Sequence, residues 1–504
     1  MIRRLVQETL FTLKRQPPCI DVVMGRSLCT NTHPKRMSEV FNIGQATPFE
    51  HPHMFESERE CTPGITHDEY KSRRTNLVKA ITTGAAKHHE RHLIVLTANE
   101  IKTMSNDIPF FFHQDVDFLY LTGLNEPNAI IVLEYTASSN KTNFILFVQP
   151  KDPQRELWDG AVVGERAAVD FFQADEAHPL SSFSTMLKKR YGGQDHCVWT
   201  KKGKDFINGK NSSEITKTFQ SKYFKSCTHE DVRSHIQKLR VVKSYAEAKL
   251  LQASSAIASN AFKEAMQHTR PGDSESLIHA VLEFNCKAMG AQHLSFPPVV
   301  AGGNRANTLH YIMNNQLLKD NDLVLMDGGC VYNGYASDIT RTWPVNGHFT
   351  ESQAILYNIV LNVMKGCYAK CKTGSSSLNS LHTVMLDLLG KELQQIGLIN
   401  PSLNRDSDIQ QAAARFCPHH LGHYLGMDTH DCPLVYRGIP LKPGMTFTLE
   451  PGLYIPHDAV DVPSEFRGIG IRIEDDVLMT EEGALNMTRE LPKEIHDIEE
   501  LMKS

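Results

Sequence analysis

Four acidic residues stand next to apolar, strand-like runs in the second half of the chain. Asp327 follows the apolar run 323–326, Glu450 follows 445–449, Glu474 follows Ile473, and Asp338 lies shortly after Asp327 in the same region. Carboxylates are rarely buried unless they are paired or bind a metal. A fold that buries these strands must therefore gather the acids around positive charge, or leave them at the surface.

The dipeptide Asn333-Gly334 is the strongest short hairpin signal and sets the spacing of the first two acids. A two-residue type I′ turn pairs Tyr332 with Tyr335. Asp338 then lies opposite Gly329, and Asp327 is its diagonal neighbour at about 7–8 Å. The two carboxylates could reach one pair of metal ions. The alternative is two solvated aspartates on an exposed face, but the unbroken apolar run before Asp327 favours burial.

A histidine-rich segment, residues 418–431, adds nitrogen ligands. His419 and His423 are four residues apart, as in the HExxH zinc helix. The glutamate of that motif is absent, and Gly422 and Gly426 weaken a helix, so a zincin is disfavoured. A set of two Asp, two Glu and one His suits oxygen-preferring metals. We expect Mn²⁺, with Co²⁺, Fe²⁺ and Zn²⁺ as alternatives.

Composition excludes several other classes of protein. A chain of 504 residues exceeds one ordinary hydrophobic core, so more than one domain is expected. The net charge of −5, without a long basic block, gives no basis for a nucleic-acid partner. No apolar run reaches the length of about 18–20 residues that a spanning helix needs, so no membrane span is expected. The 11 cysteines contain no CxxC pair and are interpreted as reduced thiols.

The apolar patterns predict an α/β N-terminal half and a duplicated C-terminal half. Strands are expected at 92–96, 118–121, 129–133 and 144–148, with helices between them. In the C-terminal half, Ser244 and Glu247 form a capping-box pattern that opens a helix to 268. That helix and a second one at 275–289 form a pair, and a similar pair of helices is predicted at 351–370 and 378–396. Two facing halves would place a site between them.

The first 36 residues differ in charge from the rest of the chain. They carry seven basic and two acidic residues, a net charge of +5, and the apolar positions Ile2, Leu5, Val6, Leu10 and Leu13 recur at helical spacing. This pattern is typical of a mitochondrial transit peptide. A disordered basic tail is the alternative. A secretory signal is disfavoured because no unbroken apolar segment of about seven residues follows the arginines.

Several strings together resemble the pita-bread M24 metallopeptidases, and within them the aminopeptidase P branch. They are Asp327-Gly-Gly, Ser337-Asp-Ile-Thr-Arg-Thr-Trp-Pro344, the segment 419–431, Leu449-Glu-Pro-Gly-Leu-Tyr454 and Gly470-Ile-Arg-Ile-Glu-Asp-Asp476. The N-terminal half shares the resemblance through Asn106-Asp-Ile-Pro109, Phe118-Leu-Tyr-Leu-Thr-Gly123 and Arg155-Glu-Leu-Trp-Asp159. The lead-in 48–53 and the leader place it nearest the mitochondrial members from animals.

The resemblance implies an α/β (α+β) chain in five parts. These are a transit peptide at 1–40, a loosely ordered lead-in at 41–64, an N-terminal aminopeptidase P domain at 65–238, a pita-bread catalytic domain at 239–490 and a C-terminal tail at 491–504.

The resemblance also implies the site. The expected ligands of two divalent ions are Asp327, Asp338, His423, Glu450 and Glu474, with Asp338 and Glu474 bridging. Glu450 is the expected general base. His310, His419 and His430 are expected to act in catalysis and to line the substrate side, with Tyr454 and Arg472 as supporting, substrate-binding residues.

The implied activity is removal of the N-terminal residue from peptides with proline second, by a homodimer in the mitochondrial matrix, with a cytosolic form left open. Three alternatives stand. A prolidase has the same ligands but cleaves Xaa-Pro dipeptides. A methionine aminopeptidase shares the fold but usually lacks the long N-terminal domain. A metal-free pita-bread domain would be a peptide-binding module, which the intact ligand set disfavours.

Overall fold

The computed structural model describes residues 42–83, 89–202 and 209–503. The predicted transit peptide, residues 1–40, lies outside these ranges. In the described part of the chain no helix is both long enough and apolar enough to cross a membrane.

The N-terminal domain is built on a mixed sheet. Strands β1 to β10 are Glu60–Thr62, Ile65–Thr66, Arg91–Thr97, Thr103–Ser105, Ile108–Pro109, Ile130–Thr136, Lys141–Val148, Glu176–Pro179, Cys197–Thr200 and Thr228–Asp231. Helices α1 to α7 are His67–Thr82, Val116–Thr122, Pro153–Asp159, Gly164–Asp170, Phe183–Tyr191, Lys210–Phe219 and Arg233–Arg240.

The six-stranded sheet of this domain has the order β10-β9-β3-β6-β7-β8. Both of its faces are covered. Leu93 and Val95 of β3 belong to one apolar layer, and Ile94 and Leu96 belong to the other. Because both faces are buried, the strand reads as an unbroken apolar run.

One predicted strand of this domain is a helix. Residues 118–121 lie within α2, whose N-cap Asp115 accepts a hydrogen bond from the backbone N–H of Phe118 at 2.9 Å. The helix ends at Gly123, which has a left-handed backbone with φ of 71°. A short apolar run cannot by itself be assigned to helix or strand, and here the two caps decide.

The C-terminal domain combines four small sheets with covering helices. Strands β11 to β21 are His293–Leu294, Val299–Gly302, Leu323–Gly328, Cys330–Tyr332, Tyr335–Ala336, Ile339–Pro344, Thr446–Leu449, Gly452–Ile455, Ile469–Arg472, Asp475–Met479 and Ala484–Asn486. Helices α8 to α13 are Tyr245–His268, Glu275–Ala288, Glu351–Lys370, Leu378–Gln395, Asp406–Ala414 and Ile495–Lys503.

The two predicted helix pairs of this domain are present as α8 with α9 and α10 with α11. The capping box at the start of α8 has both of its bonds: the Glu247 backbone N–H donates to Ser244 Oγ, and the Ser244 backbone N–H donates to Glu247 Oε2. The sheets have the orders β11-β14-β15, β12-β13-β16, β17-β20-β21 and β18-β19. The helices and these sheets share one apolar core.

The predicted lead-in and the predicted C-terminal tail both pack against the domains. In the lead-in, residues 42–64, the structure contains a 3-10 turn at Pro52–Met54 and strand β1, and Ile43 and Cys61 are buried. In the C-terminal tail, helix α13 buries Ile498 and Met502 in the core of the C-terminal domain.

Candidate metal centre

Three side chains of different strands and loops converge at the centre of the C-terminal domain. Asp338, His423 and Glu474 each offer a ligand atom, and these atoms lie within 4.8 Å of one another. All three residues are buried. His423 Nε2 is 3.2 Å from Asp338 Oδ2 and 3.8 Å from Glu450 Oε1. The arrangement brings a nitrogen ligand and three carboxylates to one point.

The predicted hairpin positions the two aspartates. Tyr332 pairs with Tyr335, as the Asn-Gly turn predicts. The same register continues beyond Asp338, where Asp327 of β13 pairs with Thr340 of β16. Asp338 itself lies between β15 and β16, and its backbone N–H donates to Asp476 Oδ1 at 3.2 Å. The turn thus fixes the spacing of both acids.

The glutamates and the histidine come from the second half of the domain. Glu450 lies between β17 and β18, and Glu474 lies between β19 and β20. His423 is tied to β17, because its carbonyl accepts from the Thr448 backbone N–H at 2.9 Å. Strand ends from both halves of the domain therefore face one another at the site.

The hydrogen bonds of His423 leave one ring nitrogen free to bind a cation. Its Nδ1 lies 3.1 Å from the Tyr424 carbonyl oxygen. A carbonyl can only accept, so Nδ1 carries the proton and Nε2 presents its lone pair towards Asp338. Metal-binding histidines are commonly oriented in this way.

Two carboxylate oxygens of this cluster are buried and have no partner within the described part of the chain. Asp327 Oδ1 and Glu474 Oε1 accept no hydrogen bond there. Burial, followed by the neighbouring carboxylates, raises the pKa values of Asp338 and Glu474 well above their usual range. Burial also raises the pKa of Glu450. Such a cluster is costly without added positive charge, so the donor set fits divalent cations.

Arg472 contacts the carboxylate cluster and orients its side chains through hydrogen bonds. Its Nη2 donates to Asp327 Oδ2 at 2.7 Å, and its Nη1 donates to Tyr454 Oη at 2.8 Å. Its Nε donates to Thr340 Oγ1 at 3.1 Å, and Thr340 Oγ1 in turn donates to Glu474 Oε2 at 2.6 Å. One guanidinium thus orients two of the acids.

A chain of hydrogen bonds continues from Arg472 to His419. Its Nδ1 lies 3.0 Å from the His420 carbonyl oxygen, so Nδ1 donates. Its Nε2 then accepts from Tyr454 Oη at 2.9 Å. These contacts, from Arg472 through Tyr454, orient the His419 ring beside Glu450, with 3.8 Å between His419 Nδ1 and Glu450 Oε2.

A cavity of about 750 Å³ opens over the carboxylates. His310, His419 and His430 line it with the four acids. The His430 ring lies 4.3 Å from the His423 ring, centroid to centroid. Desolvation, then the charges of His423 and Arg437, lowers the pKa of His430 to about 4. The structure thus places every sequence-predicted site residue in the lining of this cavity or in hydrogen-bond contact with that lining.

Two residues of the site were not predicted from the sequence. Thr340 links Arg472 to Glu474, and buried Asp476 accepts from the backbone of Asp338 and from Ser255 Oγ. A signal existed for both. Asp338, Thr340 and Thr342 are polar at alternate positions, and Glu474 and Asp476 have the same spacing, so each set points to one face.

Comparison with known proteins identifies the family. Residues 249–481 match metallopeptidase family M24, and residues 70–199 match the aminopeptidase P N-terminal domain. Xaa-Pro aminopeptidase 3 of Rattus norvegicus is 42% identical over 98% of this chain and 99% of its own. The chain belongs to metallopeptidase family M24. The family resemblance drawn from the motifs is confirmed.

Further relatives define the branch and the fold. The mitochondrial intermediate cleaving peptidase 55 of Arabidopsis thaliana is 38% identical over 92% of this chain and 88% of its own. A zinc-substituted Escherichia coli aminopeptidase P in complex with product superposes with a TM-score of 0.79, at 32% identity, over 87% of this chain and 98% of that one. The predicted α/β fold with a pita-bread domain is confirmed. The chain is an enzyme of the aminopeptidase P branch, and its family implies divalent metal ions.

Proposed function

We propose that this enzyme releases the N-terminal residue from peptides that carry proline in the second position. The observation that carries the proposal is the buried cluster of carboxylates around His423, in which Asp327 Oδ1 and Glu474 Oε1 have no partner within the described chain. Xaa-Pro aminopeptidase 3 of Rattus norvegicus aligns over 98% of this chain and 99% of its own length, so the match spans both domains.

Two divalent ions are the cofactor that the donor set supports. Asp327, Asp338, His423, Glu450 and Glu474 would hold them, with Asp338 and Glu474 shared between the two. Carboxylate oxygens outnumber the single imidazole, which favours Mn²⁺ over softer metals, while Co²⁺, Fe²⁺ and Zn²⁺ remain alternatives. Such ions supply an acidified water and a Lewis acid to peptide hydrolysis.

Glu450 is the proposed general base. Its carboxylate reaches towards the cavity, and burial raises its pKa, which favours acceptance of a proton from the attacking water. His419, oriented by its hydrogen bond with Tyr454 Oη, is a fixed neighbour of this base.

The remaining histidines act on the substrate. His430 has a lowered pKa and is neutral at pH 7, so it donates an N–H to the oxyanion that develops on the scissile carbonyl. His310 and His419 line the same cavity and would orient the peptide. Arg472 and Tyr454 hold the carboxylates and His419 in place for this reaction.

Proline explains the need for a dedicated enzyme. The Xaa-Pro bond is a tertiary amide without an N–H, so a site that holds the scissile N–H by a hydrogen bond cannot use it. Phe296, Pro297 and Val299 line one wall of the cavity and offer apolar contact to the proline ring.

A peptide series tests the proposal. With Mn²⁺ added, Ala-Pro-Ala and Ala-Pro-Ala-Ala should lose their N-terminal Ala, measured by mass spectrometry, while Ala-Ala-Ala should react far more slowly. Preference for the dipeptide Ala-Pro would instead indicate a prolidase, and cleavage of a Met-Ala peptide a methionine aminopeptidase. Metal bound without any turnover would support a peptide-binding module.

We further infer a mitochondrial matrix location and a homodimer. The net charge of +5 in residues 1–36 and the mitochondrial name of the Arabidopsis relative support the location. Residues 1–40 fused to a fluorescent protein should direct it to mitochondria and be removed there. A fusion that stays diffuse in the cytosol would refute the assignment of these residues as a transit peptide. Light scattering of the purified enzyme tests the dimer.

A further inference from the structure

A buried ion network connects the N-terminal domain to the loop that carries His430. The network consists of Lys201, Asp117, Arg240, Asp431 and Lys243. Arg240 ends helix α7, between the two domains, and Asp117 lies in α2 of the N-terminal domain. Asp431 directly follows His430 in the sequence.

The arginine contacts Asp117 of the N-terminal domain and two acids of the C-terminal domain, Asp431 and the part-exposed Asp428, whose Oδ2 lies 3.3 Å from Nη2. Arg240 Nη1 is 2.6 Å from Asp117 Oδ1, and Nη2 is 2.5 Å from Asp431 Oδ1. Lys243 Nζ binds the other oxygen of Asp431 at 2.9 Å, and Lys201 Nζ binds the other oxygen of Asp117 at 2.7 Å. Because a guanidinium is planar and rigid, these bonds fix the position of Asp431 relative to the N-terminal domain.

Burial makes this attachment strong. The side chains of Arg240, Asp117, Asp431 and Lys243 are exposed by 3%, 4%, 1% and 1%. Water cannot replace a partner at such positions. Loss of one partner therefore leaves an uncompensated buried charge.

The loop at His430 depends on Asp431 for its conformation. Cys432 has a left-handed backbone with φ of 51°, which costs energy for a residue with a side chain. Its Sγ donates to Asp431 Oδ2 at 3.1 Å. Gly426 is needed nearby, since a Cβ there would lie 2.4 Å from the same oxygen. A strained loop of this kind persists only while its surroundings hold it.

We propose that Arg240 is a positioning residue, which holds His430 in its reactive place by anchoring Asp431 to Asp117 of the N-terminal domain. The N-terminal domain is then part of the catalytic apparatus, beyond any role as a cap or a dimer contact. The inference rests on the proposed function, in which His430 stabilises the oxyanion.

The test uses Asp117→Asn, a change in the N-terminal domain that touches no site residue. Lys201 keeps Asp115 as a partner, at 2.7 Å, so that domain retains a paired lysine. With Ala-Pro-Ala as substrate, kcat should fall about tenfold, because a small misplacement of a catalytic group is costly. KM should stay within about twofold, and bound metal should be unchanged.

A second background separates positioning from general destabilisation. In His430→Ala, which has already lost the positioned group, Asp117→Asn should lower kcat by less than about twofold. An equal loss in both backgrounds would overturn the proposal, as would wild-type kcat in folded Asp117→Asn. Arg240→Lys should reproduce the loss, because lysine keeps the charge but cannot span both carboxylates.

Arg74→Lys is the matched control. Arg74 is a buried arginine of α1 whose Nη1 donates to the Leu121 carbonyl and whose guanidinium lies over the Phe144 ring, both within the N-terminal domain. It should lower stability and leave kcat unchanged. An inactive wild-type enzyme on every peptide would refute the proposed function, whereas active wild type with unaltered Asp117→Asn refutes only this inference.

Discussion

Two buried groups of acids in this chain meet opposite electrostatic conditions. In the ion network Asp431 has Arg240 and Lys243 beside it, and its pKa is lowered to about 2. In the carboxylate cluster, Asp338 and Glu474 face other acids, and burial followed by those acids raises their pKa values well above the usual range. The difference teaches that burial alone does not mark a metal site. The mark is a group of buried acids that outnumbers the protein's own cations, as in this cluster, where Arg472 pairs with Asp327.

The largest effect is expected for Asp338→Asn. Asp338 is proposed to be shared by both metal ions, so its loss should abolish activity even with Mn²⁺ added. Wild-type protein should bind up to two metal ions per chain, and the variant should bind fewer.

The metal-free Asp338→Asn variant should unfold cooperatively at a temperature no lower than that of metal-free wild type. The substitution removes a buried carboxyl whose raised pKa makes its ionisation destabilising in the folded, metal-free protein. Calorimetry with and without chelator, together with elemental analysis, checks both points. Full activity with Mn²⁺, or wild-type protein without metal, would remove Asp338 from the ligand set.

Asp431→Asn is expected to lower the stability of the metal-free protein, in contrast to Asp338→Asn. Removing one partner of a buried ion pair costs about 3–5 kcal/mol, and here Arg240 and Lys243 would both lose charge compensation. Urea unfolding of the metal-free proteins measures the loss directly. A stability equal to that of wild type would mean that the two groups of acids do not differ as described.

Glu450→Gln sharpens the comparison within the carboxylate cluster. Glutamine keeps the shape but can neither accept the proton nor neutralise a cation, so kcat should fall by about 10² or more. The pH dependence of kcat/KM should also lose its acidic limb. A wild-type pH profile in this variant would assign the base to another group.

Local rules predict part of the carboxylate cluster, whereas the full ligand set is what the family resemblance implies. The Asn333-Gly334 turn sets the register that places Asp327 beside Thr340, and apolar runs mark the buried strand ends. The same reasoning fails at 118–121, where a short apolar run fits helix and strand equally and the caps decide.

The ion network is outside the reach of such rules. Arg240 and Asp431 are 191 residues apart, and neither stands in a pattern that names its partner. Asp431 and Asp338 both follow or precede apolar residues and look alike in one sequence. Only the fold shows that lysine and arginine surround one of them and carboxylates surround the other.

The smallest effect is a pH dependence of opposite sign in the two regions of the metal-free protein. Asp431 has a folded pKa of about 2, below the unfolded value of about 3.9, so its stabilisation is complete above about pH 4 and is lost as the pH falls towards 2. Burial raises the pKa of Asp476, beside Asp338, to about 7. The folded state then holds an extra proton between about pH 4 and 7, and stability falls as the pH rises through that window.

Unfolding free energies of chelator-treated protein across this range should show both slopes. Asp476→Asn should reduce the upper slope, to which Asp338, Glu450 and Glu474 also contribute, and leave the lower slope unchanged. Asp431→Asn should reduce the lower slope, to which Asp475 also contributes, and leave the upper slope unchanged. A single variant that removes both slopes would show that the two groups titrate as one.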